Sequence, residues 1–582
     1  MPLKVTRTLS DPALAVHIQP RRNQTESNRA QFFDQEKDWR VVTSRDNISA
    51  RGAVLERALR DLGDNRFARV KSQCAALIHQ DANDVEALLL SGLAAGARGR
   101  LDHAARLLLR AAGLAPTKAH PLHDLAALLQ RTGQTALLEP QFQALRRLAP
   151  EDASLWEAFG ESLHDRGQNE AACSVLAEAK RLAPDKLPVR NLLAMALAAA
   201  GHTDAAIEEL RRAIALNASH AGLWANLGLL LKDDGRSREA LTAYDHALML
   251  APHDARIRVN RVVALLRSGR WTEAWRDFEW RLDLEEHAAL RPCLLPSLTD
   301  VPNLSGLRVL AEHEDGFGDS LHFARYLPIL AERGAHVSVL VPTQLIRIMR
   351  TVPGVASVFG PADPPPRYDY YCPFFSLPRA FATTPDTIPA PIPYLRADPA
   401  SATAWRARLP SGVLLAGLAW AGQARPQLAG FMTLDARRSM ALATLAPLAA
   451  VPEVAFVSLQ FGPEAAQARS PPDGMTLFDP MAGVADFADT AAIIANLDLV
   501  ISVDTSVVHL AGGMGKPVFL LDRYDHCWRW LDGRADSPWY PGMRIFRQPR
   551  IGDWDTVLRE ALSALREFAT VRRSRLGRSR SG

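Results

Sequence analysis

The chain has 582 residues, of which 48% are hydrophobic and 23% charged, a balance typical of folded domains, and its length predicts roughly two to four of them. A formal net charge of +4 is small for this size and gives no electrostatic case for a specific nucleic-acid partner. The five cysteines (Cys74, Cys173, Cys293, Cys372, Cys527) form no CxxC pair, which argues against a zinc site or a disulfide framework and fits a reducing compartment.

Residues 1–48 are polar, broken by Pro and without apolar period, and are predicted to be disordered. They contain no apolar stretch long enough for a signal peptide. No apolar run anywhere approaches the ~20 residues of a membrane span. The expectation is a cytoplasmic protein without a transmembrane span.

From 51 to 285 the sequence repeats itself. Trp156, Gly160, Leu163, Gly167, Ala172, Ala179 and Pro184 return two periods later as Trp224, Gly228, Leu231, Gly235, Ala240, Ala247 and Pro252. The copy between them keeps Gly201, Ala206 and Ala213, and earlier copies keep Gly99, Ala104, Pro116 and then Gly133, Phe142, Pro150. A period of about 34 residues, with small residues at helix crossings and Pro at the end, resembles the tetratricopeptide repeat. About six repeats stacked into a solenoid are expected, each burying what its neighbour leaves exposed. A seventh half-match keeps Gly269 and Ala274 but turns aromatic with Trp271, Trp275, Phe278 and Trp280. Those rings read either as ordinary core or as a face packed on the next domain.

After a linker with prolines (291–306) the period changes. Residues 307–313 and 336–342 read as buried strands separated by a GFGD turn and an amphipathic helix, which implies a parallel sheet. A Pro-rich crossing leads to a second set of strands at 413–422, 454–462, 497–504 and 517–522. Two doubly wound units facing a cleft are expected, with ligands at the carboxyl ends of the strands.

One such end carries SVDTSVVHLAGGMGKP (502–517). There Asp504, Thr505 and Ser506 stand where a helix begins and its free N–H groups gather. His509 lies one turn on, on the same face. The alternative is that Asp504 and Thr505 only cap the helix, worth about 1 kcal/mol, and that His509 is a core histidine. GGMGKP is no P-loop, because Leu510 and Pro517 replace the required Gly and Ser/Thr. On the first sheet the GFGDS turn (316–320) allows close backbone approach. It places Asp319 at a helix start, as a general base or as a favourable N-terminal charge.

The residues GFGDSLHFARYLP (316–328), LAWAG (418–422), FVSLQFG (456–462), 486–518, WRWL (528–531) and 537–555 together resemble the C-terminal domain of bacterial tetratricopeptide-repeat glycosyltransferases. These are relatives of the ADP-heptose heptosyltransferases of glycosyltransferase family nine. The resemblance implies a multidomain fold: an all-α solenoid (51–285) followed by a GT-B-like pair of Rossmann-type α/β domains. The acceptor-side domain would span 307–400 and the nucleotide-sugar side 411–570, followed by a basic disordered tail (571–582). It implies Asp319 as the catalytic base. It also implies donor binding by Gly316, Gly318, Trp420, Gly422, Gln460, Asp504, Thr505, Ser506 and His509, with Arg437 or Arg438 supplying charge to the leaving diphosphate. Ser506 stands where those enzymes usually carry Gly, and Asp315 replaces a common Gln. No metal or other cofactor is implied, and Asp553-Trp554-Asp555 reads as a helix start. The partners implied are a nucleotide-sugar donor and a protein or peptide on the solenoid. The basic last segment reads as a solvated end, with peripheral contact to anionic membrane lipid, or to RNA, as the alternative. The alternative is an inactive repeat scaffold whose transferase domain has degenerated.

Overall fold

In the computed structural model, which describes residues 45–114, 138–284, 293–364, 366–389, 392–422 and 435–580, the repeat period resolves into successive helix pairs. The described residues fall into two compact units. One runs up to Leu230 and includes Met249–Ala251; the other takes in Leu231–Leu248 and the chain from Pro252 onward. Repeat positions Pro116 and Gly133, residues 1–44 and the segment 423–434 lie outside the described residues.

In the repeat unit the pairs are Val85–Ala97 with Leu101–Leu114, Ala153–Asp165 with Asn169–Leu182, and Leu187–Ala199 with Thr203–Leu216. Two features of the repeat explain the pairing. Asp152 starts its helix by accepting from the Ser154 N–H at 2.9 Å, a side-chain cap that satisfies an orphan donor. Gly160 then lets the partner helix come close, since a Cβ there would lie 2.4 Å from Leu176 Cγ. Leu155, Phe159, Leu163 and Leu176 fill the space between the helices and are buried. The first described helix, Arg45–Gly63, starts inside the segment predicted to be disordered.

The second unit contains two wholly parallel sheets. The first has β1 (Arg308–Glu312), β2 (His336–Leu340), β3 (Val355–Phe359) and β4 (Tyr370–Pro373) in the order β3-β2-β1-β4. The second has β5 (Leu414–Ala419), β6 (Val454–Ser458), β7 (Leu477–Phe478), β8 (Leu499–Val503), β9 (Val518–Asp522) and β10 (Met543–Arg547), ordered β10-β9-β8-β5-β6-β7. Every residue of β5, β6, β8 and β9 is buried, as expected of parallel strands covered on both faces.

The order of each sheet reverses once. Chain progress turns round between β1 and β4 in the first sheet and between β5 and β8 in the second. In open α/β sheets the crevice outside the carboxyl ends at such a reversal is where ligands bind. The GFGDS turn follows β1, and the Asp504–Ser506 cluster follows β8.

The aromatic half-repeat belongs to this unit. Trp271 and Trp275 are buried; Trp271 stacks on Trp539 at 5.5 Å, and Trp275 donates its indole N–H to the Thr383 carbonyl at 2.8 Å. After the Pro-rich crossing, the N–H groups of Tyr394 and Leu395 both bond the Gly513 carbonyl. The final helix runs Trp554–Arg580, so the basic tail, expected to be disordered from 571, is helical through Arg580. Among the described residues no helix is long and apolar enough to cross a membrane.

Candidate functional site

The helix Ser506–Gly513 begins directly at the end of β8, with Thr505 as its N-cap residue in extended conformation. The Thr505 side chain does not cap it; its hydroxyl lies 3.2 Å from the Ser502 hydroxyl. The free N–H groups and the positive end of the helix gather at this strand end. Thr505 and Ser506 are half-buried and Asp504 is buried.

Arg438 reaches the same place. One guanidinium nitrogen donates to the Asp504 carbonyl at 3.1 Å, and another pairs with Asp435 at 2.6 Å. Gly422, just past β5, makes room for it, because a Cβ on that glycine would sit 2.5 Å from Arg438 Nε. The structure separates the two candidate arginines: Arg437 turns away and pairs with Asp525 at 3.0 Å.

Two other residues assigned to donor binding make scaffold contacts. Trp420 is completely buried in the core of the second sheet. The Gln460 carboxamide oxygen accepts from the Trp420 and Ala421 N–H groups, each at 2.9 Å, while its nitrogen donates to the carbonyls of Ala421 and Phe461. Both ends of that amide are thus used to tie the ends of β5 and β6 together.

On the first sheet Asp319 is buried and accepts from the Gly316 N–H at 3.2 Å, closing its own turn. Its other oxygen pairs with Arg529, whose side chain is also buried. Burial works against the guanidinium's charge, yet the Asp319 carboxylate holds its pKa above the ordinary value. The same guanidinium lies 4.4 Å over the Trp528 ring. Arg529 is the functional candidate that sequence reasoning missed, although the WRWL motif containing it stood out.

His509 is buried, stacked on Trp530 at 5.5 Å, with Nδ1 2.9 Å from the Tyr540 hydroxyl. That oxygen is also 2.9 Å from His322 Nδ1. The Tyr540 hydroxyl thus joins the two imidazoles in a His–Tyr–His arrangement. Burial drives the pKa of both imidazoles well below the ordinary value, reinforced by the Arg325 and Arg529 charges. Both surroundings favour the neutral imidazole.

Gly318 explains how the two turns meet. A Cβ on it would lie 2.9 Å from His509 Cδ2 and 3.4 Å from Ser506 Cα. The turn after β1 therefore rests directly on the start of the helix after β8, a closed contact at the point where a cleft was expected. Asp553 accepts from the Thr556 N–H at 3.1 Å, and Trp554 packs against the core of the second sheet.

Known proteins resemble parts of this chain. The tetratricopeptide-repeat family matches residues 187–220 and 221–254. Protein FlbA of Caulobacter vibrioides is 29% identical over 320 residues, covering 47% of this chain and 51% of that protein. The chain thus spans about half the length of this curated relative. Among solved structures, the glycosyl transferase family 9 protein from Veillonella parvula is 11% identical. It covers 46% of this chain and 98% of that one, with a TM-score of 0.35. A tetratricopeptide-repeat protein from Thermus thermophilus is 28% identical, covering 31% and 99%, with a TM-score of 0.23. The chain carries tetratricopeptide repeats, followed by two parallel α/β sheets.

Proposed function

We propose that this protein is a metal-independent glycosyltransferase that moves a sugar from a nucleotide-diphosphate donor to an acceptor hydroxyl, with its two sheets paired in the GT-B manner. The observation that carries this reading is the helix start at Thr505–Ser506, which the Thr505 hydroxyl does not cap, at the strand-order reversal, with Arg438 laid against it. The donor's diphosphate sits on the backbone N–H groups of that helix. Arg438 and the helix dipole stabilise the charge that develops as the anomeric bond breaks. Asp319 receives the acceptor proton once a bound acceptor draws Arg529 away from it, and Arg529 is then free to face the departing diphosphate. The repeats recruit the acceptor or a partner protein.

A second reading, an inactive scaffold, is favoured by the Asp319–Arg529 pair and by the contact of Gly318 with His509. Calorimetric and thermal-shift titration with ADP-, GDP-, UDP- and CMP-sugars tests the proposal, with Arg438→Ala and Asp504→Ala alongside. Binding of one donor, weakened in both variants, supports a donor site, and turnover abolished by Asp319→Asn supports catalysis. A folded protein that binds none of the donors sinks the transferase reading.

A further inference from the structure

The repeat unit holds a cavity of about 390 Å³ that the transferase reading does not use. Its walls come from the second helix of one repeat (Phe67–Gln80) and from both helices of the next (Val85–Ala97 and Leu101–Leu114). Lys71, Arg98 and Arg100 stand around it, with the imidazoles of His79 and His103, and no carboxylate lines it. All five side chains are exposed, and none makes an ion pair or hydrogen bond among the described residues. Several other cations of the unit are held by carboxylates. Arg51 is held by Asp84 and Glu86, Lys180 and Arg190 by Glu209, and Lys186 by Glu157.

Behind the charges the wall is apolar. Ile78, Ala94 and Leu107 line it, with the Ser91 hydroxyl among them. The site is half open to solvent, so it would grip part of an extended ligand rather than enclose a small one. A small inorganic anion would satisfy the cations and leave that wall wet. A peptide carrying both carboxylates and an apolar side chain satisfies both surfaces, and opposite charge steers it in.

We propose that this cavity is a docking site for an acidic peptide segment of a partner protein, with one apolar side chain seated on the Ile78–Leu107 wall and carboxylates on Lys71, Arg98 and Arg100. It stands whether or not the sheets carry a transferase.

The test uses the full chain and a fluorescently labelled synthetic peptide of alternating glutamate and leucine, followed by fluorescence anisotropy. Two control peptides replace glutamate by lysine, or leucine by glycine. The expected result is binding of the glutamate–leucine peptide at least about tenfold tighter than either control, weakening as salt is raised. Arg98→Glu with Arg100→Glu should lower affinity at least about tenfold. Ala75→Trp, at an exposed position on the rim, should block the cavity without changing charge and lower affinity similarly, with the helical circular dichroism signal retained. Equal binding of the glycine-spaced acidic peptide would show an anion site without apolar recognition and overturn the proposal. Binding untouched by Ala75→Trp would show diffuse charge attraction and overturn it as well.

Discussion

Replacing Arg529 with methionine removes a guanidinium of nearly the same reach and leaves the Asp319 carboxylate without its cation. The side chains of the pair are 4% and 8% exposed, so water cannot take the place of the lost partner. Breaking a buried pair from one side costs about 3–5 kcal/mol, because the remaining charge stays desolvated. One Asp319 oxygen keeps its 3.2 Å bond from the Gly316 N–H, which places the expected loss near the lower end, about 3 kcal/mol. Asp319→Asn in the same background removes the orphaned charge and should restore at least half of the loss. The assay is urea unfolding followed by tryptophan fluorescence, to which Trp528 and Trp530 on either side of Arg529 contribute. The pH dependence gives a second check. A carboxyl buried without a cation prefers its neutral form, so its unfavourable contribution grows as pH rises and shrinks as pH falls. The Arg529→Met deficit should therefore narrow on acidification. A single variant as stable as the wild type, with no rescue by Asp319→Asn and no pH trend, would refute the reasoning that this pair holds the turn.

Burial holds the His313 imidazole down at about 4 from an ordinary 6.5, and those of His322 and His509 well below it. The unfolded chain therefore binds more protons below pH 6.5. Stability should be full above about 6.5 and fall as pH drops toward 4, by up to about 3 kcal/mol from His313 alone, as read from unfolding midpoints across that window; a flat profile would contradict the burial. Gly422→Ala places a methyl against the Arg438 guanidinium and should weaken donor binding about tenfold, while changing stability by less than about 2 kcal/mol; calorimetry and melting together check this. Gly160→Ala forces Leu176 out of its rotamer and should destabilise the repeat unit by about 1–3 kcal/mol, whereas Gly52→Ala, with open space around it, should not; urea midpoints compare the two.

Much of the fold is written in short stretches of sequence. The glycine and alanine spacing that marked the repeats is the spacing at which Gly160 meets Leu176, because a helix pair of fixed length brings the same positions together in every copy. The continuous apolar runs that marked β5, β6, β8 and β9 are the strands buried on both faces. The helix start after β8 was equally legible, since a strand followed by polar residues and then a helical pattern leaves few other solutions.

Sequence by itself thus determined the elements and the places where strand gives way to helix, for the reason that propensity, capping and period act over a turn or two of chain. What each polar side chain does there was decided by the tertiary structure. Asp319 meets Arg529 from 210 positions away, Tyr540 joins His322 to His509, and neighbouring Arg437 and Arg438 part toward Asp525 and Asp504. The Gln460 amide, bonded to the Trp420 and Ala421 N–H groups, holds β5 to β6. Such pairings depend on the order of strands in a sheet and on how two sheets meet, and a buried charge or amide takes whichever partner that packing brings within reach.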